Sequence, residues 1–430
     1  MTALLARWLY SLALRLLTPV YLARLWWRGS REPAYRKRLG ERLGRYALPP
    51  RRGQGGVVWV HAVSLGETLA AAPLVAALRN ELPQMRLLLT CSTATGVAAG
   101  HELLQPEDDQ TWFPYDSPGA VRRFLKRYRP AVGVIMETEI WPNLMHAARA
   151  AQIPMVLANA RLSAKSQRKG RRVALLMRPA IAAFTRVLAQ TARDAQRLRE
   201  SGARPVEVCG NTKFDITPPA KLLARGHQWR QGQARLVVLM AVSREGEEQP
   251  LLDAWRALPS TRPLLVIVPR HPQRFDEIAA LVERNGFSLQ RRSSWTDTPP
   301  AAAADADVWL GDSMGEMPLY YAMADVALLG GSFAPLGGQN LIEAAACGCP
   351  LVLGPHTFNF EDAAQLAIEA GAAVRMNDLH GAVRRAVALV HDPRRNDWVE
   401  AALAFAGSHR GATERMAQRI AKLLTGLESA

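Results

Sequence analysis

Cysteine is scarce, with four in 430 residues, which excludes a scaffold built on disulfides. Cys91 and Cys209 stand alone, and Cys347-Gly-Cys349 is too close and too isolated for a zinc site. A reducing, cytosol-facing location is the simplest expectation. No His/Cys/carboxylate cluster offers a metal site. Asp305-Ala-Asp307 spells a metal-like pair, but it precedes an apolar run in an alanine-rich loop and reads as solvated. A G-x-x-x-x-G-K-[ST] run is missing, which disfavours P-loop hydrolysis, and there is no internal repeat. Acid is short too: 38 Asp and Glu face 54 Lys and Arg, a net charge of +16. That sign implies an anionic partner, whether nucleic acid, an anionic membrane face or a phosphorylated substrate.

What is present is a folding chain. Hydrophobic content is 49% and charged content 21%, and the length exceeds what one core usually supports, so two domains are expected. Residues 1–50 hold ten Lys/Arg against Glu32 and Glu41, which is half the net charge. The segment opens on an apolar stretch that Arg7, Arg15 and Arg24 interrupt, and Pro19 is expected to break its helix. On a helix, Arg7, Ser11, Arg15 and Thr18 share one stripe, with Leu4, Leu5, Trp8, Leu9, Leu12 and Leu16 on the other side. That is the pattern of a helix in a membrane interface, arginines outward, followed by a polybasic run against anionic headgroups. A domain-packing helix with a solvated basic face is the alternative, and a single-pass signal anchor stays open. No cleavage site for a signal peptide stands out. Because the charge clusters beside Leu and Trp and no nucleic-acid motif is present, a nucleic-acid partner is not expected.

From residue 57 short apolar runs alternate with helical stretches. Buried parallel strands are predicted at 57–63, 86–92, 131–137, 154–160, 186–190 and 206–211, then at 236–243, 263–269, 307–312, 325–331 and 350–355. The polar, Pro218-Pro219-containing segment 214–235 reads as a linker. The expected organisation is a membrane-associated segment 1–50, a Rossmann-like domain 51–213, the linker 214–235, and a second Rossmann-like domain 236–430 ending in a long helix from about 396 to 424. Two doubly wound α/β domains place ligands in a crevice at the carboxyl ends of their strands.

Function is therefore sought in the loops after those strands. In HAVSLGET (61–68), Glu67 sits in the first turn of a helix, as a general base or merely as a complement to the helix dipole. METEIWPN (136–143) carries Glu137 and Glu139, which orient a cationic partner or else cap a helix and face solvent. GNTKFD (210–215) puts Lys213 after the last strand of the first half, either meeting a leaving phosphate or lying at the surface. In the second half, VPRHPQRF (268–275) presents Arg270, a natural phosphate fork, and His271. GDSMGEM (311–317) and GGSFAPLGGQNLIEAAACGCP (330–350) are glycine-bearing turns into helices, the second with Asn340 as cap and Glu343 one turn in. Amides for phosphate and a carboxylate for ribose hydroxyls are what a nucleotide needs.

These motifs, with AYRKRLGERLG (34–44), ANARLSAKS (158–166) and GPHTFNFED (354–362), together resemble the 3-deoxy-D-manno-octulosonic acid (Kdo) transferases of lipopolysaccharide synthesis, over nearly the whole chain. The resemblance implies a glycosyltransferase-B fold, peripheral on the cytoplasmic face of the inner membrane. It implies transfer of Kdo from CMP-Kdo to the 6′-hydroxyl of a lipid A precursor, with inversion and without metal or other cofactor. Carried over by motif, Glu67 is the general base, and Glu137 and Lys213 stabilise the transition state. Pro269 and Arg270, Met314, Gly315 and Glu316, and Asn340, Leu341, Ile342 and Glu343 bind CMP. Gln339 stands where the family often has histidine. The rival on the same fold is a UDP-sugar transferase or epimerase.

Overall fold

A computed structural model describes residues 2–30, 32–47, 49–50, 55–259 and 261–426. Arg31 of the basic run, the expected boundary at residue 51 and the chain end at 430 lie outside them. Two compact units form: residues up to Asp215 joined by the chain from Arg410 onward, and Ile216–His409.

The first unit holds a seven-stranded parallel sheet. Its strands are β1 (Val57–His61), β2 (Arg86–Cys91), β3 (Asp109–Trp112), β4 (Val132–Met136), β5 (Met155–Ala160), β6 (Arg186–Ala189) and β7 (Val206–Val208). The order is β3-β2-β1-β4-β5-β6-β7, with Val58 beside Leu87 on one flank and Val132 on the other. The second unit repeats the plan with β8 (Val237–Ser243), β9 (Leu264–Pro269), β10 (Leu289–Arg291), β11 (Val308–Leu310), β12 (Val326–Leu329), β13 (Leu351–Leu353) and β14 (Ala373–Arg375). Its order is β10-β11-β9-β8-β12-β13-β14. Every predicted strand is present. Three more, β3, β10 and β14, lie at sheet edges, where one flank is unpaired and polar residues such as Asp109, Gln110 and Gln290 interrupt the apolar signal. Strand order reverses between β1 and β4 and between β8 and β12, the positions where doubly wound sheets bind ligands.

Three expectations need correction. The predicted tail is two helices, Arg395–Ser408 and Ala412–Thr425, separated at Gly411, whose φ is +82°. The last one belongs to the first unit: Ala412, Met416, Ala417 and Ile420 pack with Leu74 and Leu78 in its core. Asp215 fixes the return by accepting from the backbone N–H of Gly411 and of Thr413, both at 2.6 Å. The second domain therefore ends near His409, because these apolar residues complete the other core. The supposed linker contains the helix Ala220–Gln231. It packs so closely on the helix Met317–Met323 that a Cβ at Gly226 would lie 2.4 Å from the Leu319 carbonyl oxygen, and Trp229 is buried against Trp295 and Trp309.

Thirdly, the N-terminal helix Ala3–Arg28 runs through Pro19. Thr18 sits beside the lost amide and donates its hydroxyl to the Leu14 carbonyl at 2.7 Å. This helix leans on the first unit by Ala6, Tyr10 and Ser11, while Arg15 and Arg24 stay exposed. Tyr10 donates to buried Asp116 at 3.1 Å and Ser11 to Asn143 at 3.1 Å. The Asp116 carboxylate in turn accepts the Asn143 and Leu144 amides that begin the helix Pro142–Ala150. Leu4, Trp8, Leu16, Trp26 and Trp27 are left exposed. The helix is long and apolar enough to cross a bilayer by length and composition.

Candidate active site

In the first unit, β1 hands the chain to the helix Leu65–Glu81. Glu67 reaches back over the first turn, and its Oε2 accepts the Val63 amide at 2.8 Å. The carboxylate thus serves the helix start while keeping Oε1 only 3.5 Å from the Ser64 hydroxyl. Burial lifts the Glu67 carboxyl from its usual range to about 7, and the nearby charges of Glu137 and Glu139 push the same way. His61, at the end of β1, is buried, stacked on Phe113 with centroids 3.9 Å apart, and pushed down to about 3 by burial. It is a neutral ring that steadies the strand end.

Glu137 follows β4 and is held at φ +58°, a left-handed conformation that costs a non-glycine residue roughly 1–3 kcal/mol and concentrates at functional sites. Its amide donates to the Ala158 carbonyl at 2.9 Å, and its carboxylate pairs with Arg161 Nε at 3.0 Å. Lys213 lies in the short turn Thr212–Asp215 after β7. That turn is tied to β5 where Asn159 Oδ1 accepts the Thr212 amide at 3.2 Å. Burial lowers the Lys213 ammonium, and the carboxylates of Glu137 and Glu67 act in the opposite direction. The three residues picked from separate motifs therefore share one electrostatic neighbourhood at the carboxyl end of the sheet.

In the second unit the switch point is built around the end of β8. Val242 is forced to φ +58°, where β8 and β9 slip register between Ala241 and Ser243. Gly330, after β12, passes so near that a Cβ would sit 2.2 Å from the Val242 carbonyl oxygen. Only glycine fits there. Buried Glu247 then organises the glycine-rich loop. Its Oε2 accepts the amides of Gly331 at 2.8 Å and Arg244 at 2.9 Å, and its Oε1 those of Phe333 at 3.1 Å and Ala334 at 3.2 Å. Sequence reasoning missed this residue. Its only signal was a pair of acids, Glu247 and Glu248, just after a predicted strand.

Around this loop, Pro269 ends β9 and Arg270 is exposed after it, its amide fixed on the Ser243 carbonyl at 3.0 Å. Met314 is exposed and Gly315 turns with φ +78° into open space. The Glu316 carboxylate is already engaged: it accepts from Ser313 at 2.5 Å, Arg292 at 2.9 Å and Arg225 at 3.3 Å. Asn340 caps the helix Leu341–Ala346 by accepting the Ile342 amide at 3.2 Å. Leu341 and Ile342 are buried in the core, so their side chains position the loop rather than meet a ligand. Glu343 differs from Glu316. Burial raises its carboxyl, and among the described residues no side chain or amide donates to it. No group of three His, Cys, Asp or Glu able to hold a metal ion is found among the described residues.

Two doubly wound parallel sheets, each with charged groups gathered at its switch point, define a glycosyltransferase-B type architecture. Solved structures agree at the level of fold. A glycosyltransferase from Rickettsia africae superposes with TM-score 0.57 at 12% identity, over 88% of this chain and 100% of that one. A UDP-N-acetylglucosamine 2-epimerase gives 0.53 at 16%, over 88% and 98%. Sequence is more specific. A 3-deoxy-D-manno-octulosonic-acid transferase family model matches residues 37–216. A 3-deoxy-D-manno-octulosonic acid transferase of Bordetella pertussis is 47% identical over 95% of this chain and 97% of its own length. That of Haemophilus influenzae is 33% identical over 89% and 90%. The chain belongs to the 3-deoxy-D-manno-octulosonic acid transferase family and is a glycosyltransferase.

Proposed function

We propose that this enzyme moves Kdo from CMP-Kdo to the 6′-hydroxyl of a tetra-acylated lipid A precursor in lipopolysaccharide synthesis, with inversion at the anomeric carbon. The observation that carries the reading is the Glu67 carboxyl at the end of β1, poised at about 7 beside Glu137 and Lys213. A base of that strength is half ionised near neutrality and strong enough to take a hydroxyl proton as attack proceeds. In the proposed step, Glu67 removes the proton from the acceptor hydroxyl. The freed oxygen pair forms the bond to the anomeric carbon, and the bond from that carbon to the phosphate oxygen breaks on the opposite face. CMP leaves with the electron pair. Glu137, held in place by its strained backbone and by Arg161, and Lys213 stabilise the charge that develops.

CMP is assigned to the second unit. Pro269 and Arg270, the turn Met314–Glu316 and the segment Asn340–Glu343 bind it, Arg270 meeting the phosphate. Glu343, a half-buried carboxylate with no protein donor among the described residues, suits ribose hydroxyls. Glu316 acts through Arg292 and Arg225. The exposed Leu and Trp residues of the helix Ala3–Arg28, with the basic run behind them, support attachment to an anionic membrane surface on the cytoplasmic side of the inner membrane.

The test is mass spectrometry of the lipid after incubating purified protein with CMP-Kdo and a tetra-acylated lipid A precursor in the presence of EDTA. A mass gain of one or more Kdo units supports donor, acceptor and metal independence together, and gives the number of residues added. No gain from folded protein, with turnover of a UDP-sugar instead, would overturn the donor assignment.

A further inference from the structure

Residues 160–184 hold seven Lys and Arg and no Asp or Glu. They form the helices Ala164–Arg172 and Ala174–Ile181 of the first unit. Beside them lies a groove of about 650 Å³. Its floor is apolar, made by Ile140, Leu162, Val173, Met177 and Ile181, and Lys169, Arg171 and Arg178 stand around it. Arg171 pairs with Glu200 at 3.4 Å, and Gln167 takes the same carboxylate at 2.8 Å. Lys169 and Arg178 have no carboxylate partner among the described residues. Val173, between the two helices, and Leu175, on the second, are exposed apolar side chains.

The position of the groove decides what it serves. Thr138 and Ile140, which line it, bracket Glu139, and Thr138 directly follows Glu137. Leu162, on the floor, directly follows Arg161, the ion-pair partner of Glu137. A ligand seated here is continuous with the strained catalytic loop rather than remote from it. An apolar channel with unpaired cations at its margin matches an amphiphile that carries a phosphate close to a hydrocarbon chain.

We propose that this groove is the acyl-chain subsite for the phosphorylated lipid acceptor, with Lys169 and Arg178 meeting its phosphate. The inference rests on the function proposed above for the acceptor's identity, but its test does not depend on turnover. The full-length protein in non-ionic detergent is irradiated with an acceptor bearing a diazirine at the end of one acyl chain, and the adducts are mapped by peptide mass spectrometry. Adducts are expected on peptides containing Ile140, Leu162 and residues 173–181. Adducts confined to other segments overturn the proposal.

Two variants supply an independent reading. Ala174→Trp fills the half-buried groove wall, and the surface pair Lys169→Glu with Arg178→Glu reverses the rim charge. Each should raise KM for the tetra-acylated acceptor about ten-fold or more, the scale of losing a few buried methylenes or a charge contact. KM for CMP-Kdo should be unchanged in both. Ala174→Trp should also leave kcat/KM on a de-acylated phosphorylated acceptor at the wild-type value. Equal losses on both acceptors for Ala174→Trp, or no loss on the tetra-acylated acceptor for either variant, sink the subsite. Labelling in the groove without any Kdo transfer would sink the proposed reaction and leave the subsite standing; transfer with labelling elsewhere would do the reverse.

Discussion

Replacing Glu67 by Gln should make the protein more stable and nearly inactive at once. The amide oxygen of the substituted side chain can still accept the Val63 amide that the carboxylate holds at 2.8 Å, so the helix start survives. What disappears is a charge that the fold disfavours. A rise of the carboxyl to about 7 on folding is worth at most about 3 kcal/mol at 1.4 kcal/mol per pKa unit. Solvent screening of a group that stays partly exposed reduces that to about 1–2 kcal/mol. The sign follows from linkage. The folded state holds its proton more tightly than the unfolded chain, so wild-type stability is favoured below the ordinary carboxylate range and lost as pH rises through 7. The gain from Glu67→Gln should therefore be full at pH 8, small at pH 5 and absent by pH 4. In a unit of this size it should appear as roughly 2–8 °C in the melting temperature of the first unit at pH 8. Activity should move oppositely, with turnover down about 10²–10⁴-fold, and wild-type kcat/KM should climb from pH 5.5, reach half its maximum at about 7 and level off at higher pH. Calorimetry across pH beside a radiolabelled Kdo-transfer assay checks both. Near-wild-type turnover would refute Glu67 as base. Lost turnover with no pH-dependent stabilisation would refute the buried charge as the source of its tuning.

Glu343→Gln should weaken CMP binding about 10–100-fold by titration calorimetry, because the amide accepts ribose hydroxyls less strongly than a carboxylate; unchanged affinity would remove Glu343 from the nucleotide site. Glu247→Ala strips the acceptor from four amides of the glycine-rich loop and its approach. It should abolish measurable CMP binding while the far-UV spectrum stays near wild type, and intact binding would show that the loop holds without it. Met416→Ala should destabilise the first unit by about 2–5 kcal/mol, read as a lower first transition in urea. A change in the second unit's transition instead would contradict the placement of the last helix.

The sequence displayed central strands better than edges, because strands covered on both faces write near-continuous apolar runs such as 132–136 and 264–268, whereas β3 and β10 mix Asp, Gln and Arg into three or four residues. Glu67, Glu137 and Lys213 were legible because each follows a strand in a distinctive motif. Their shared electrostatic neighbourhood was not, since it depends on strand order rather than on spacing. The left-handed backbone of Glu137 has no sequence signature at all. Glu247 was missed because a carboxylate that accepts only backbone amides has no partner residue to betray it. The terminal helix misled for a related reason: its Ala, Met and Ile face shows that it is buried, but composition cannot say against which core.

That helix sets a timetable for biosynthesis. The slot that Met416 and Ile420 fill beside Leu74 and Leu78 stays empty while the second unit, residues 216–409, is made. At about 5–20 residues per second that interval is roughly 10–40 s. Throughout it the nascent first unit shows bare hydrocarbon where its last helix belongs, a target for chaperones. The last helix must be made before that unit can close, so a chain cut short by a stop upstream of it carries the Glu67 motif without the core that supports it, and quality control can recognise it by that gap.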